Sequence, residues 1–217
     1  MTLTLARPWL EMTLGGPHQV LSWSITRPGL VIADMILWRE VRNADLPPDL
    51  DVTGWLRAEV ATRGQAQAVT LLTSRDLDAF ETASASVDGV TALCVATVGL
   101  SNAERVGTRL DRSGHDWGTI NLAVQVSRPL GAAALLETLS IATQARTAAV
   151  IDAGHILPTG IATGTGTDCI AIAAPPGDVA YAGLHTATGE AVGRATFDAV
   201  RRGARVWMDT VRRKGVV

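Results

Sequence analysis

Apolar and polar positions along this chain switch between two periods, and the switches outline its elements. From Gln19 to Ile25 the period is two. Leu21, Trp23 and Ile25 fall on one side and Ser22 and Ser24 on the other, which predicts a half-buried strand. Arg27-Pro28-Gly29 reads as a turn, and the apolar run Gly29–Val41 behind it predicts the second arm of a hairpin. Residues 43–53 contain Leu46-Pro47-Pro48-Asp49 and predict a loop, followed by a short helix over 55–63. Val69–Leu72 predicts a short strand, after which Thr73 or Ser74 would cap a helix running through Asp76 and Phe80. Residues 90–98 predict another strand. Over 119–127 the alternation is clean, with Ile120, Leu122, Val124 and Val126 facing one way and Asn121, Ala123 and Gln125 the other. Ala132–Asp152 is the strongest helix, and its few charges (Glu137, Arg146 and Asp152) predict that most of its surface is covered. Cys169–Ala173 predicts a strand, and Thr186–Arg202 a helix that buries Val192, Ala195, Ala199 and Val200.

An early hairpin and a clean period-two strand argue against an all-parallel sheet. The expected architecture is α+β, a layered sandwich of mixed sheet covered by helices. A chain of 217 residues supports one substantial core, so a single domain over 1–217 is expected. With 47% apolar and 18% charged residues, intrinsic disorder is excluded. A net charge of −2 gives no electrostatic basis for binding nucleic acid or an anionic membrane. No apolar run approaches a membrane span, and the start of the chain lacks the pattern of a secretory signal. A cytoplasmic protein is expected, with Cys94 and Cys169 reduced and buried in their apolar runs. The apolar, arginine-rich composition is compatible with a homodimer.

Four polar clusters interrupt this scaffold at strand or helix ends. They are Gly99–Arg105 (GLSNAER), Gly118–Asn121 (GTIN), Thr163–Asp168 (TGTGTD) and His185–Glu190 (HTATGE). Each sets small hydroxyl or amide groups beside glycine, where backbone can approach a ligand closely. TGTGTD is the densest, with Thr163, Gly164, Thr165, Gly166 and Thr167 ending on the carboxylate of Asp168. It lacks the lysine of a phosphate loop, and it leads into a strand rather than a helix, which excludes the dinucleotide fingerprint. Ser101-Asn102-Ala103-Glu104 also reads as a helix start, Gly118-Thr119 as a turn entering a strand, and His185-Thr186 as a helix cap. His185 with Glu190 is equally a candidate proton-transfer pair. His115 reads as a loop residue and His155 as a contact at a helix C-terminus; His18 has no assignment. No histidine or cysteine has zinc-ligand spacing, so no metal is expected.

The clusters together resemble the adenosylcobinamide amidohydrolase family of corrinoid salvage. The resemblance rests on Leu72–Asp76 (LTSRD), Thr97–Gly107, Gly118–Asn121, Ala162–Asp168, and Gly183–Thr186 with Gly189-Glu190, in order across roughly residues 65–205. Residues 1–60 carry no matching motif. The resemblance implies hydrolysis of one amide of adenosylcobinamide, releasing aminopropanol and leaving adenosylcobyric acid. It implies no cofactor, since cobalt enters only within the substrate, and a small-molecule corrinoid as the partner.

Amide hydrolysis requires an attacking water or nucleophile, donors for the tetrahedral oxyanion, and an acid for the leaving amine. On the residues, Asp168 or Glu190 is the candidate base, His185 the proton shuttle, and Thr167 and the other loop threonines donors. Ser101, Asn102, Thr119, Asn121, Thr163, Gly164, Thr165 and Gly166 are the expected substrate contacts, with Ser101 and Thr119 also candidate nucleophiles. Trp117, beside GTIN, is the aromatic expected against the corrin. Two other readings remain open: hydrolysis of a different amidated small molecule, and corrinoid binding without hydrolysis.

Overall fold

The computed structural model describes residues 1–112 and 118–212. In chain order the strands and helices are Thr2–Ala6 (β1), Trp9–Ser22 (β2), Gly29–Glu40 (β3), Val52–Thr62 (α1), Val69–Thr73 (β4), Glu81–Val87 (β5), Val90–Val98 (β6) and Ala103–Glu104 (β7). They continue with Ile120–Val126 (β8), Ala132–Ala153 (α2), Ile156–Leu157 (β9), Gly160–Ile161 (β10), Gly164–Thr165 (β11), Cys169–Ala174 (β12) and Ala187–Thr210 (α3). The architecture is mixed α+β, as expected from the sequence. The main sheet runs β4-β3-β2-β12-β8-β6-β5, with β1 also on β2. Its ladders are antiparallel except β3–β4 and β8–β12, which are parallel.

The long β2 serves two neighbours along one edge because it is bulged. Its register against β3 shifts between Thr13 and His18, where Gly15 and Gly16 adopt φ of 80° and 146°. Residues before the bulge pair with β1 and residues after it with β12. Glycine supplies the positive φ that such a break in the ladder requires.

The sheet curls so that β4, at one end of it, lies against β8 and β6. Leu10 and Met12 of β2, Ile36 and Trp38 of β3 and Leu71 of β4 share one buried cluster with Val95, Ala123 and Ala171 from β6, β8 and β12. Asn121 Nδ2 donates to the Leu72 carbonyl at 2.6 Å, stitching β8 to β4 although several strands separate them in the sheet order. The opposite face of β5, β6, β8 and β12 is covered by α2 and α3. Ile120, Leu122 and Val124 alternate onto that face and pack with Ile170, Ile172, Leu135, Ile141, Val192 and Trp207. Small residues set the helix–sheet distance: a Cβ on Gly203 of α3 would lie 2.7 Å from Val98 Cγ2. Truncating a fully buried residue here, such as Ile172→Ala, is expected to cost about 2–5 kcal/mol. The short α1, capped by Asp51 accepting from Gly54 N at 3.0 Å, places Leu56 and Val60 against Trp9 and Leu37. Among the described residues, no helix is long and apolar enough to cross a membrane.

Several expectations need correction. The helix expected after Thr73 is a single 3-10 turn, Leu77–Ala79, capped by Asp76 accepting from Asp78 N at 2.9 Å. The chain then forms β5, whose small alternating residues pair with β6 through Asp88-Gly89. Both turn residues have positive φ, as a two-residue hairpin turn requires. Ser101–Glu104 starts no helix; Ala103-Glu104 instead pairs with Gly164-Thr165. The faces of 19–25 are also reversed, because β2 ends at Ser22 and Trp23 turns out to solvent while Ser22 and Ser24 are buried. His155 makes no helix cap: Gly154 ends α2 in the left-handed conformation, and the His155 ring packs edge-on against Trp207, centroids 5.3 Å apart.

Candidate functional site

Parallel β8 and β12 start side by side, with Cys169 opposite Asn121. Their N-terminal ends, together with the C-terminal ends of β2 and β6, form one end of the sheet, and its curl brings Leu72 and Thr73 of β4 against β8 and β6 there. A cleft of about 480 Å³ opens there. Gly118, Thr119, Asn121, Thr167 and Asp168 make one side of it polar, and Ile25, Val41, Leu46, Pro47, Pro48 and Leu50 make the other side apolar. Trp23 and Arg42, both substantially exposed, also line it, as does Ser74.

The polar side is built by laying two loops together. β7 and β11 pair Gly164 with Glu104 and Thr165 with Ala103. Thr163 N donates to the Glu104 carbonyl at 2.8 Å, and Thr163 Oγ1 accepts from Val106 N at 2.8 Å. Asn102 Nδ2 donates to Thr167 Oγ1 at 3.2 Å, and that hydroxyl donates to the Gly118 carbonyl at 3.0 Å. Thr119 Oγ1 closes the ring by donating to the Thr167 carbonyl at 2.8 Å. Gly118 admits no side chain, because a Cβ there would sit 2.7 Å from Ser101 N and 3.0 Å from the Gly99 carbonyl oxygen.

Asp168 holds this arrangement from beneath. Its Oδ2 meets Arg146 Nη1 of α2 at 2.6 Å and accepts from Thr165 N at 3.1 Å. Its Oδ1 accepts from Ile120 N at 3.2 Å and from the Thr165 hydroxyl. A carboxylate offers about four acceptor positions, and these contacts occupy them. Arg146 also donates to the Thr163 carbonyl at 3.0 Å, so one guanidinium pins both ends of the loop. There is no room at Gly164 for a Cβ, which would collide with the Arg146 guanidinium and the Asp168 carboxylate. Burial pushes the Asp168 pKa above its ordinary value, opposed by Arg146 and by the hydrogen bonds from Thr165 and Ile120. Burial also pushes the Cys169 thiol up to about 12, so at neutral pH it is no thiolate nucleophile.

Of the residues expected at the site, the structure gathers Ser101, Asn102, Thr119, Asn121 and Thr163–Asp168 at this end of the sheet. Thr119, Asn121, Thr167 and Asp168 line the cleft, whereas Ser101, Asn102 and Thr163–Gly166 are not among its lining and lie in the supporting loops. Among the described residues, His185 and Glu190 are not brought to the cleft. They follow the far end of β12, a strand of 6 residues that carries the chain about 20 Å across the sheet. There Thr186 caps α3 by accepting from Gly189 N at 3.0 Å, His185 is exposed, and Glu190 pairs with Arg194 at 2.6 Å. Trp117 and His115 lie outside the described residues. The apolar wall was not foreseen. Its sequence signal is a loop that keeps Leu46 and Leu50 around Pro47-Pro48, apolar residues that a purely solvated loop does not need.

Fold and site define a mixed-sheet α+β protein with a hydroxyl- and amide-lined cleft at one sheet end, backed by a buried carboxylate–guanidinium pair. The family model described as adenosylcobinamide amidohydrolase (CbiZ) matches residues 2–211, and the chain belongs to that family. The match includes residues 2–60, where no motif was legible, in keeping with their place in the sheet and the cleft wall. No curated protein matches the chain. The chain is similar to the crystal structure of the PH0078 protein from Pyrococcus horikoshii OT3, with 10% identity, 95% of this chain and 85% of that chain covered, and a TM-score of 0.43.

Proposed function

We propose that this protein hydrolyses the amide joining aminopropanol to the corrinoid in adenosylcobinamide, releasing aminopropanol and leaving adenosylcobyric acid for re-use in a salvage pathway. The observation that carries the proposal is the cleft itself, in a chain of the amidohydrolase family: amide and hydroxyl groups converge on one side of a space of about 480 Å³ and face an apolar wall. That space is of small-ligand size. It accommodates an amide-bearing arm while the corrin macrocycle rests outside, against exposed groups such as Trp23.

In this reading Thr119, Thr167 and Asn121 contact the scissile arm. Asp168 and Arg146 act as positioning residues that hold the Thr163–Asp168 loop and the start of β8 in register. Attack comes from water or from the Thr119 hydroxyl.

Incubating the purified protein with adenosylcobinamide is expected to release one equivalent of aminopropanol, detected by mass spectrometry. The corrinoid product should carry one additional carboxylate. Recovery of unchanged corrinoid contradicts the proposal.

A further inference from the structure

We infer that the cleft selects its substrate by the leaving amine, and that Asn121 reads that amine's hydroxyl; this rests on the corrinoid amide hydrolysis proposed above. Trp23 and Arg42 are exposed, whereas Val41, Leu71 and Asn121 are buried, so the narrow arm and not the broad macrocycle reaches the inner lining, and it enters tip first. The tip of the scissile arm is the leaving amine, a hydroxypropyl group beyond the amide nitrogen. The primary amides elsewhere on a corrinoid have nothing beyond their nitrogen, so the inner lining is where the one N-substituted amide can be told from the others.

That lining matches a short hydroxyalkyl group. Leu71 and Val41 are buried and apolar, suited to methylene and methyl groups. Asn121 is 1% exposed and lines the same space. Its amide has two N–H donors and an oxygen with two lone pairs. One donor is committed to the Leu72 carbonyl at 2.6 Å, which fixes which end of the amide is nitrogen. Among the described residues, the oxygen receives only a long contact from Thr119 Oγ1 at 3.4 Å, and the second N–H has no partner. The unspent capacity is thus one donor and one acceptor, the complement of an alcohol, which both accepts and donates. Filling the cleft with an alkyl amine lacking the hydroxyl would leave this buried amide unsatisfied.

The test uses adenosylcobyric acid amidated at the same position with 2-hydroxypropylamine, propylamine or ammonia. With the wild-type enzyme, kcat/KM is expected to be at least about tenfold higher for the hydroxypropyl than for the propyl amide, as a buried polar group left unpaired implies. The primary amide should be lower still. In Asn121→Leu the hydroxypropyl-to-propyl ratio should fall to one or below, whatever the absolute rates. Because that variant also loses the bond to Leu72, the free amines are compared as inhibitors of the wild-type enzyme, where 2-hydroxypropylamine should bind about tenfold more tightly than propylamine. A wild-type ratio near one, equal inhibition by the two amines, or a ratio retained in Asn121→Leu overturns the inference while leaving hydrolysis of adenosylcobinamide intact. Failure of the wild type to cleave any of the three amides overturns the function itself.

Discussion

Two runs of this chain use nearly the same residues. Thr163–Asp168 and His185–Glu190 each alternate threonine with small residues and end on an acid, yet they come to rest at opposite ends of β12. In the first, the acid is buried, pinned by Arg146 and bonded to the backbone of Thr165 and Ile120. In the second, the acid is exposed on the first turn of a helix and pairs with the flexible head of Arg194. The glycines differ in the same way. Gly164 makes room for an ion pair, whereas Gly189 lets a helix start pack onto the carbonyl oxygens of Ala182 and Gly183. Composition nominates a site; what surrounds the acid decides whether it organises a cleft or ends a helix.

The sharpest way to break this contrast is to delete one partner of the buried pair. Asp168→Ala leaves the Arg146 guanidinium buried without its counter-ion, and Arg146→Ala does the reverse. Either should cost about 3–5 kcal/mol in a denaturation experiment. Conversion of Glu190 to glutamine removes an exposed i,i+4 pair and should change stability by no more than about 0.5 kcal/mol. Equal losses at the two ends would erase the distinction.

A smaller effect separates the glycines. Gly118→Ala puts a methyl 2.7 Å from Ser101 N, and Gly189→Ala drives one into the carbonyl oxygens of Gly183 and Ala182. Both should lose about 1–3 kcal/mol of stability. Only Gly118→Ala moves the lip of the cleft, so only it should lower kcat/KM per folded molecule, by tenfold or more, since small misplacements are costly to catalysis. Parallel urea titrations and steady-state assays of the two variants make the comparison.

The smallest signature is a pH slope. Burial holds the folded-state pKa of Asp168 above its ordinary 3.8, so between those two values the folded chain binds more protons than the unfolded chain. The Asp168 contribution to stability therefore declines as pH rises through that window and is flat above it. The difference in unfolding free energy between wild type and Asp168→Asn, measured across the window, should carry this slope. A difference that stays flat contradicts the burial argument.

Much of this fold was legible because its strongest elements advertise their period. β8 alternates as read, and α3 buries the face that its apolar spacing indicated, whereas α2, expected to be covered over most of its surface, leaves a face with Ala133, Leu136, Ser140, Gln144 and Ala148 exposed. What the sequence concealed was long-range. β5 reads as small polar alternation and becomes a strand only because β6 lies beyond the Asp88-Gly89 turn. The reversal at Trp23 follows from the indole N–H donating to the Asp168 carbonyl at 2.6 Å, a partner more than a hundred residues away. At the site, three of the four clusters converge because β6, β8 and β12 are neighbours in the sheet with their relevant ends together. The fourth does not, because its strand had already crossed to the other side. The apolar wall from residues 25–50 was invisible for a related reason: hydrophobic loop residues announce burial and not what they will face.

Under the proposed function, the end of the sheet bearing Thr119, Thr167 and Asp168 performs the amide hydrolysis and the end bearing His185 does not. Its most direct test is the rate of aminopropanol release from adenosylcobinamide by wild type, Asp168→Asn and His185→Ala, each normalised to folded protein. His185→Ala is expected to stay within about twofold of wild type, as an exposed residue outside the cleft should, while Asp168→Asn should fall by about a hundredfold or more as its loop loses register. Loss of activity in His185→Ala with Asp168→Asn near wild type would contradict it.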